Sequence, residues 1–166
     1  MFMHKVFLIT SFILTRVFIF WYPITIIHEI GHYCSGTFIG DGSATIFYDF
    51  YIFSRTEIIG SNTPVIDTIA GPIFGTVMGI VSHYLSRKLK NKLLLDLSIF
   101  SFLFNGLYLS LSHTITNTDS HLLIQLGFPL WALFIIGIPI SVLGLFLLIL
   151  KIDKLLNKDH NKKIQD

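Results

Sequence analysis

Residues 6–38 read VFLITSFILTRVFIFWYPITIIHEIGHYCSGTF, and the fold turns on how this stretch is read. The run is almost wholly apolar, with Arg16 as its basic residue and Glu29 as its acid. About 20 helical residues cross the hydrocarbon core of a bilayer, so the stretch is too long for one straight perpendicular span. Pro23 follows Trp21 and Tyr22, where it can kink or break a helix. The expectation is either one long kinked helix or a span followed by a second, shorter one. Residues 1–22 also have the basic start and apolar run of a signal peptide. Arg16 interrupts that run, and no small-x-small cleavage site precedes Pro23, so the segment reads as retained.

Outward from this stretch the pattern changes. Asp41-Gly42 signals a turn, residues 43–48 and 50–53 are aromatic and β-branched, and residues 56–59 continue the tendency. A small β-hairpin is expected there, ending in the Gly60-Ser61-Asn62 turn; an ordinary interfacial loop is the plainer alternative. Residues 64–85 form a second apolar helix, with Pro64 and Asp67 suited to its first turn. Gly71, Gly75 and Gly79 recur every fourth residue, so they share one face and allow close approach of another helix. Residues 93–112 form a third apolar helix, with Asn105 and Gly106 inside it. After the polar interruption SHTITNTD (112–119), residues 121–127 form a short turn of helix or a loop, and residues 128–150 a final apolar span. The polar tail from Lys151 is expected to be frayed or disordered.

Composition agrees with this reading. Of 166 residues 52% are hydrophobic and 13% charged, and the mean hydropathy is +0.70. A soluble domain of this size carries about 25% charged residues, so there is too little polar surface here to cover a water-facing globule. The fold class expected is an all-α integral membrane protein with about four transmembrane helices and a small β-hairpin insertion. Residues 1–150 make a single membrane-embedded domain and residues 151–166 a polar basic tail. The basic residues cluster beside the apolar runs, at 87–92 and from Lys151 onward, which suits anchoring at the lipid interface and argues against a nucleic-acid partner. One cysteine, Cys34, excludes an intrachain disulfide and a CxxC metal knuckle.

The chemistry-bearing residues are His28-Glu29-Ile30-Gly31-His32. On a helix, positions i and i+4 lie on one face about a turn apart, so two imidazoles can converge on one metal ion. Zinc takes neutral imidazole nitrogen readily and keeps an open position in catalytic sites. The glutamate between them is placed to accept a proton from water, the logic of HExxH metal-assisted hydrolysis. With seven histidines in the chain, and Glu29 and Glu57 as its glutamates, the motif would arise in roughly a few per thousand shuffled sequences, so it stands above noise. The bland alternative is a satisfied polar cluster joining helices. An ionisable group in a spanning helix costs roughly 2.5–3.5 kcal/mol on insertion scales, which weighs against so dense a cluster without a function.

Two histidines hold zinc loosely, and a third ligand is required. The candidates are Asp119, Asp67, His113, His121, Asp96 and His83. Asp119 sits in the polar break after the third helix, where a carboxylate can fold back toward a metal or cap the next helix; position alone leaves both roles open. Asp67 and Asp96 lie in first turns of helices, where a cap or dipole role is favoured. His83 continues the small face four residues after Gly79 and reads as interfacial. The longer form HExxHxxGxxH fails, because Ser35 and Phe38 stand at its last two positions. Glu57 lies too close, and in a strand-like stretch, to serve as a downstream helical ligand.

These residues resemble a family, the site-2 protease group of intramembrane zinc metalloproteases, over roughly residues 20–130. His28-Glu29-Ile30-Gly31-His32 is similar to its HExGH-type motif, Ala70-Gly71-Pro72 to its AGP segment, and Asp119, with Gly127 and Pro129 beyond, stands where its third-ligand aspartate falls. The chain departs from the pattern in two places: Gly75 and Thr76 stand where the family often has asparagine, and Asp119 is followed by Ser120 rather than glycine. The resemblance implies a minimal form in which His28, His32 and Asp119 bind Zn2+ and Glu29 is general base and acid, cleaving transmembrane or juxtamembrane segments of membrane proteins. A second reading is a catalytically inactive protease-like membrane protein acting as regulator or binder. A small transporter with a histidine pathway is a third, but inverted repeats and paired broken helices are missing from the sequence. The charge rule places residues 87–92 and the tail in the cytoplasm; the resemblance implies the hairpin side there instead, and the sequence leaves this open.

Overall fold

The computed structural model describes residues 2–48 and 54–165. The first helix, α1, runs from Phe2 to Phe38 without a break, and Pro23 lies inside it. Of the two expectations for the opening stretch, the single long helix is the one observed. The Thr25 hydroxyl donates to the Trp21 carbonyl at 2.8 Å, an added bond in the turn that proline weakens.

A hairpin follows. Strand β1 (Ser43–Phe47) pairs antiparallel with β2 (Arg55–Ile59), in a register that sets Ser43 opposite Ile59 and Phe47 opposite Arg55. Residues 50–53, expected to be strand, lie outside the described residues. Helix α2 (Pro64–Lys88) opens with proline at its first position, where the missing N–H costs nothing. Helix α3 (Lys92–Leu111) is capped by Asn91, whose side chain accepts from the backbone of Leu93 and Leu94. A short 3-10 turn (Ser112–Thr114) leads to α4 (Asp119–Gln125), and α5 (Leu130–Gln165) closes the chain. The tail expected to be disordered continues the last helix.

Helix α3 is the centre, packed against α2 on one side and α5 on the other. Beside Ile99, Phe100, Phe102 and Leu109, its buried residues include small and polar ones, Ser98, Ser101, Asn105, Gly106 and Ser110. Such residues let backbones approach closely. A Cβ on Gly106 would lie 2.7 Å from the Gly137 carbonyl oxygen, and one on Gly75 would overlap the Asn105 side chain. The Ser101 hydroxyl donates to the Gly75 carbonyl at 2.6 Å. The expected glycine face on α2 therefore exists, and it serves two partners: Gly71 faces α1, while Gly75 and Gly79 face α3.

The outer surfaces of the helices are apolar. Phe18, Val77, Ile80, Trp131, Ile135 and Phe146, among others, are exposed. Four helices are long and apolar enough to cross a membrane: Lys5–Phe38, Pro64–Lys88, Lys92–Thr114 and Leu130–Leu156.

Candidate metal centre

His28 and His32 stand on the inner face of α1, and the imidazole rings lie 4.8 Å apart at their centroids. Glu29 and His32 are buried. Opposite them α2 passes so close that a Cβ on Gly71 would collide with Nε2 of both histidines. A Cβ on Gly31 would in turn lie 2.6 Å from the Ala70 carbonyl oxygen. The glycines of HEIGH and of AGP thus share one purpose, which is to bring the α2 backbone against the two rings.

Asp119 arrives from the far end of α3. The cap of α4 is Thr118, whose hydroxyl accepts from the His121 N–H, which frees the Asp119 carboxylate from the capping role that the sequence left open. Its backbone N–H donates to the Tyr108 hydroxyl at 3.3 Å, and the Tyr108 ring meets His28 edge-on at 5.3 Å. The result is one carboxylate oxygen, Oδ2, at 2.8 Å from His28 Nε2 and 3.2 Å from His32 Nε2. The ligand atoms of all three residues fall within 4.8 Å of one another.

The outer nitrogens settle which ring atoms face inward. His32 Nδ1 lies 2.7 Å from the Asp67 carbonyl oxygen. A carbonyl only accepts, so Nδ1 carries the proton and donates. His28 Nδ1 lies 3.3 Å from Asn105 Oδ1, and the Asn105 amide is oriented by donation from its Nδ2 to the Ser101 carbonyl. The inner nitrogen of each ring, Nε2, faces the same carboxylate oxygen. With both rings neutral, their Nε2 lone pairs and the carboxylate make three acceptors that a shared cation would join.

The set fits a metal ion. Zinc–ligand distances of about 2.1 Å in a tetrahedron place neighbouring ligand atoms about 3.4 Å apart; the carboxylate oxygen lies 2.8 and 3.2 Å from the two nitrogens, and the three ligand atoms fall within 4.8 Å of one another. Two imidazoles whose other nitrogen is bonded to a carbonyl-type oxygen, plus one carboxylate, leave a fourth position open, as in catalytic zinc sites. Burial pushes the Asp119 carboxyl up, but the neighbouring His32 and His28 outweigh burial and hold it well below the usual carboxylate range.

Glu29 lines the same cavity, of about 950 Å³, as His28, His32 and Asp119. The Thr56 hydroxyl of β2 donates to Glu29 Oε2 at 2.7 Å and lies 3.1 Å from the Glu29 carbonyl oxygen. The other candidate ligands go elsewhere. The Asp67 carboxylate is buried under the hydroxyls of Ser35, Ser61 and Thr63, and reaches the site only through its backbone carbonyl. Asp96 does not serve the start of α3, where Asn91 is the cap; it pairs with Arg16 at 3.0 Å and with Lys151. His113 Nδ1 bonds the Ser110 carbonyl and His121 Nδ1 the His113 carbonyl. His83 sits lower on α2 with its Nδ1 buried.

Sequence reasoning missed the parts played by Asn105, Thr56 and Tyr108. An asparagine inside an apolar helix is a signal that could have flagged Asn105. A threonine in a strand and a tyrosine in a helix carry none.

No protein-family model, curated protein or solved structure matches this chain. The site therefore rests on its own geometry.

Proposed function

We infer that this chain is an integral, multi-pass membrane protein of the site-2 protease kind, a zinc-dependent peptidase that cleaves transmembrane or juxtamembrane segments of other membrane proteins. The observation that carries the reading is the meeting of His28 Nε2, His32 Nε2 and Asp119 Oδ2 beside a buried glutamate. Four long apolar helices with apolar outer faces support the membrane setting.

His28, His32 and Asp119 would hold the ion. When bound, zinc supplies Lewis acidity, making a water acidic enough to lose a proton near neutral pH and polarising a carbonyl. The remaining work belongs to the chain. Thr56 holds Glu29 Oε2, which leaves Oε1 to take the proton and later deliver it to the departing amine nitrogen. Asn105 and the Asp67 carbonyl keep the rings aimed. Trp21, Ile24 and Phe104 give the cavity an apolar wall, while β2 lines it through Arg55, Thr56 and Ile58. A helical substrate hides its carbonyls, so the segment must be extended to react, and a strand beside the site suits that.

Glu29→Gln keeps the shape and removes the base. It should retain zinc and lose cleavage by at least about a hundredfold, the lower end of what general-base catalysis contributes, as measured on a reconstituted membrane-protein substrate. Undiminished cleavage in this variant refutes the mechanism. Stoichiometric zinc without any cleavage in the unaltered protein points to a binder on a protease scaffold.

A further inference from the structure

Arg55 apart, every lysine and arginine of the chain falls on the N-terminal half of α1, around the α2–α3 connection, or on the last part of α5. These places are far apart in sequence, and the structure brings them to one end. Asp96, near the start of α3, contacts both Arg16 of α1 and Lys151 of α5. Both cations also lie over the Phe12 ring, at 5.3 and 5.4 Å.

The helix directions extend this along the whole bundle. α1 and α3 run the same way, since Arg16 meets Asp96 while His28 meets Asn105. α2 and α5 run against them, since Gly79 faces Phe102 while Gly75 faces Asn105, and Gly137 faces Gly106 while Lys151 meets Asp96. The opposite end therefore holds the hairpin, α4 and the exposed loop residues that line the cavity, such as Gly60 and Asn117. That end is acidic. Asp41 is exposed there, and the side chain of Glu57 is 51% exposed; Arg55 is paired with Glu57 at 3.0 Å. The lysines and arginines are thus gathered at one end of the bundle, and the candidate metal centre lies toward the other.

Basic residues beside spanning helices are retained on the cytoplasmic side, while acidic residues have little influence. Resting on the membrane-embedded reading above, we propose that the basic end lies in the cytoplasm and that the cavity opens on the opposite, non-cytoplasmic side. The segments it receives are those of membrane proteins emerging on that side, taken in extended form beside β2. This is the reverse of the placement that the resemblance implies.

The test is independent of activity. The full chain carries one cysteine, Cys34, so Cys34→Ser provides a cysteine-free background for two reporters. Glu57→Cys marks the hairpin end. Leu89→Cys, 61% exposed between Lys88 and Lys90, marks the basic end without altering its charge. Each is expressed in bacterial cells and treated with a membrane-impermeant maleimide before and after permeabilisation. The expected result is labelling of Glu57→Cys in intact cells and of Leu89→Cys only after permeabilisation. Labelling of Leu89→Cys in intact cells, or protection of Glu57→Cys until permeabilisation, overturns the proposal. An alkaline carbonate wash then separates the two failures: a protein kept in the membrane is inserted the other way, while a protein released by the wash was never embedded.

Discussion

Asp119 Oδ2 faces the inner nitrogens of two imidazoles, while the outer nitrogen of each ring meets an oxygen acceptor. This arrangement makes the three side chains unequal to the other candidates. Asp119→Ala removes a ligand and leaves two, so zinc affinity should fall by more than the roughly 10–100-fold that loss of an outer-sphere partner causes. Asn105→Ala removes such a partner from His28 and should fall within that range. Asp67→Asn should leave affinity nearly unchanged, since His32 is held by the backbone carbonyl of that residue. Competition against a chromophoric chelator measures all three. Equal affinity in Asp119→Ala and the unaltered chain contradicts the assignment. Asp119 was legible as a candidate because it stands in a polar break, but its rivalry with the capping role was decided by Thr118, whose hydroxyl takes that task one residue earlier.

At the scale of the helices, the candidate metal centre depends on how closely α2 can approach α1. Gly71 sits against the tips of both rings, and any side chain there has to displace them. Gly71→Ala should cost about 1–3 kcal/mol through overpacking and should lower zinc occupancy more than it lowers helicity. Thermal unfolding followed by circular dichroism, together with metal analysis of the same sample, separates the two effects; full occupancy in the variant contradicts the close approach. The glycine spacing announced a tight helix contact, but not which helix would fill it. Gly71 went to α1 and Gly75 to α3 because Asn105 of α3 occupies the space a side chain at 75 would need. Pro23 looked able to break α1 and did not.

For the molecule as a whole, the most consequential contact away from the candidate site is Asp96 with Arg16 and Lys151. It ties the first, third and last long helices together at the basic end. The Asp96 side chain is 2% exposed and that of Lys151 is 12% exposed. Asp96→Ala strands two cations around a buried space, and breaking a buried pair in this way costs about 3–5 kcal/mol. The expected outcome is a marked fall in the thermal midpoint in detergent, with His28, His32 and Asp119 untouched. A midpoint equal to that of the unaltered chain shows that the contact does not hold the helices together. The same contact accounts for Arg16, which in sequence is only an interruption of an apolar run.

What the sequence determined by itself was local and periodic: long apolar helices, a β-branched hairpin between them, and two histidines one helical turn apart with a glutamate between. Those follow from side-chain hydropathy and from the 3.6-residue turn, which act over neighbouring residues. What only the tertiary structure decided was the meeting of parts that are distant in the chain. Asp119 rather than Asp67 reaches the histidines, Asn105 and Thr56 orient the site, and Asp96 gathers Arg16 and Lys151. Each of these choices depends on which helix faces which, and that is set by the shapes of glycine and serine faces fitting together, a property of pairs of elements that no single stretch of sequence contains.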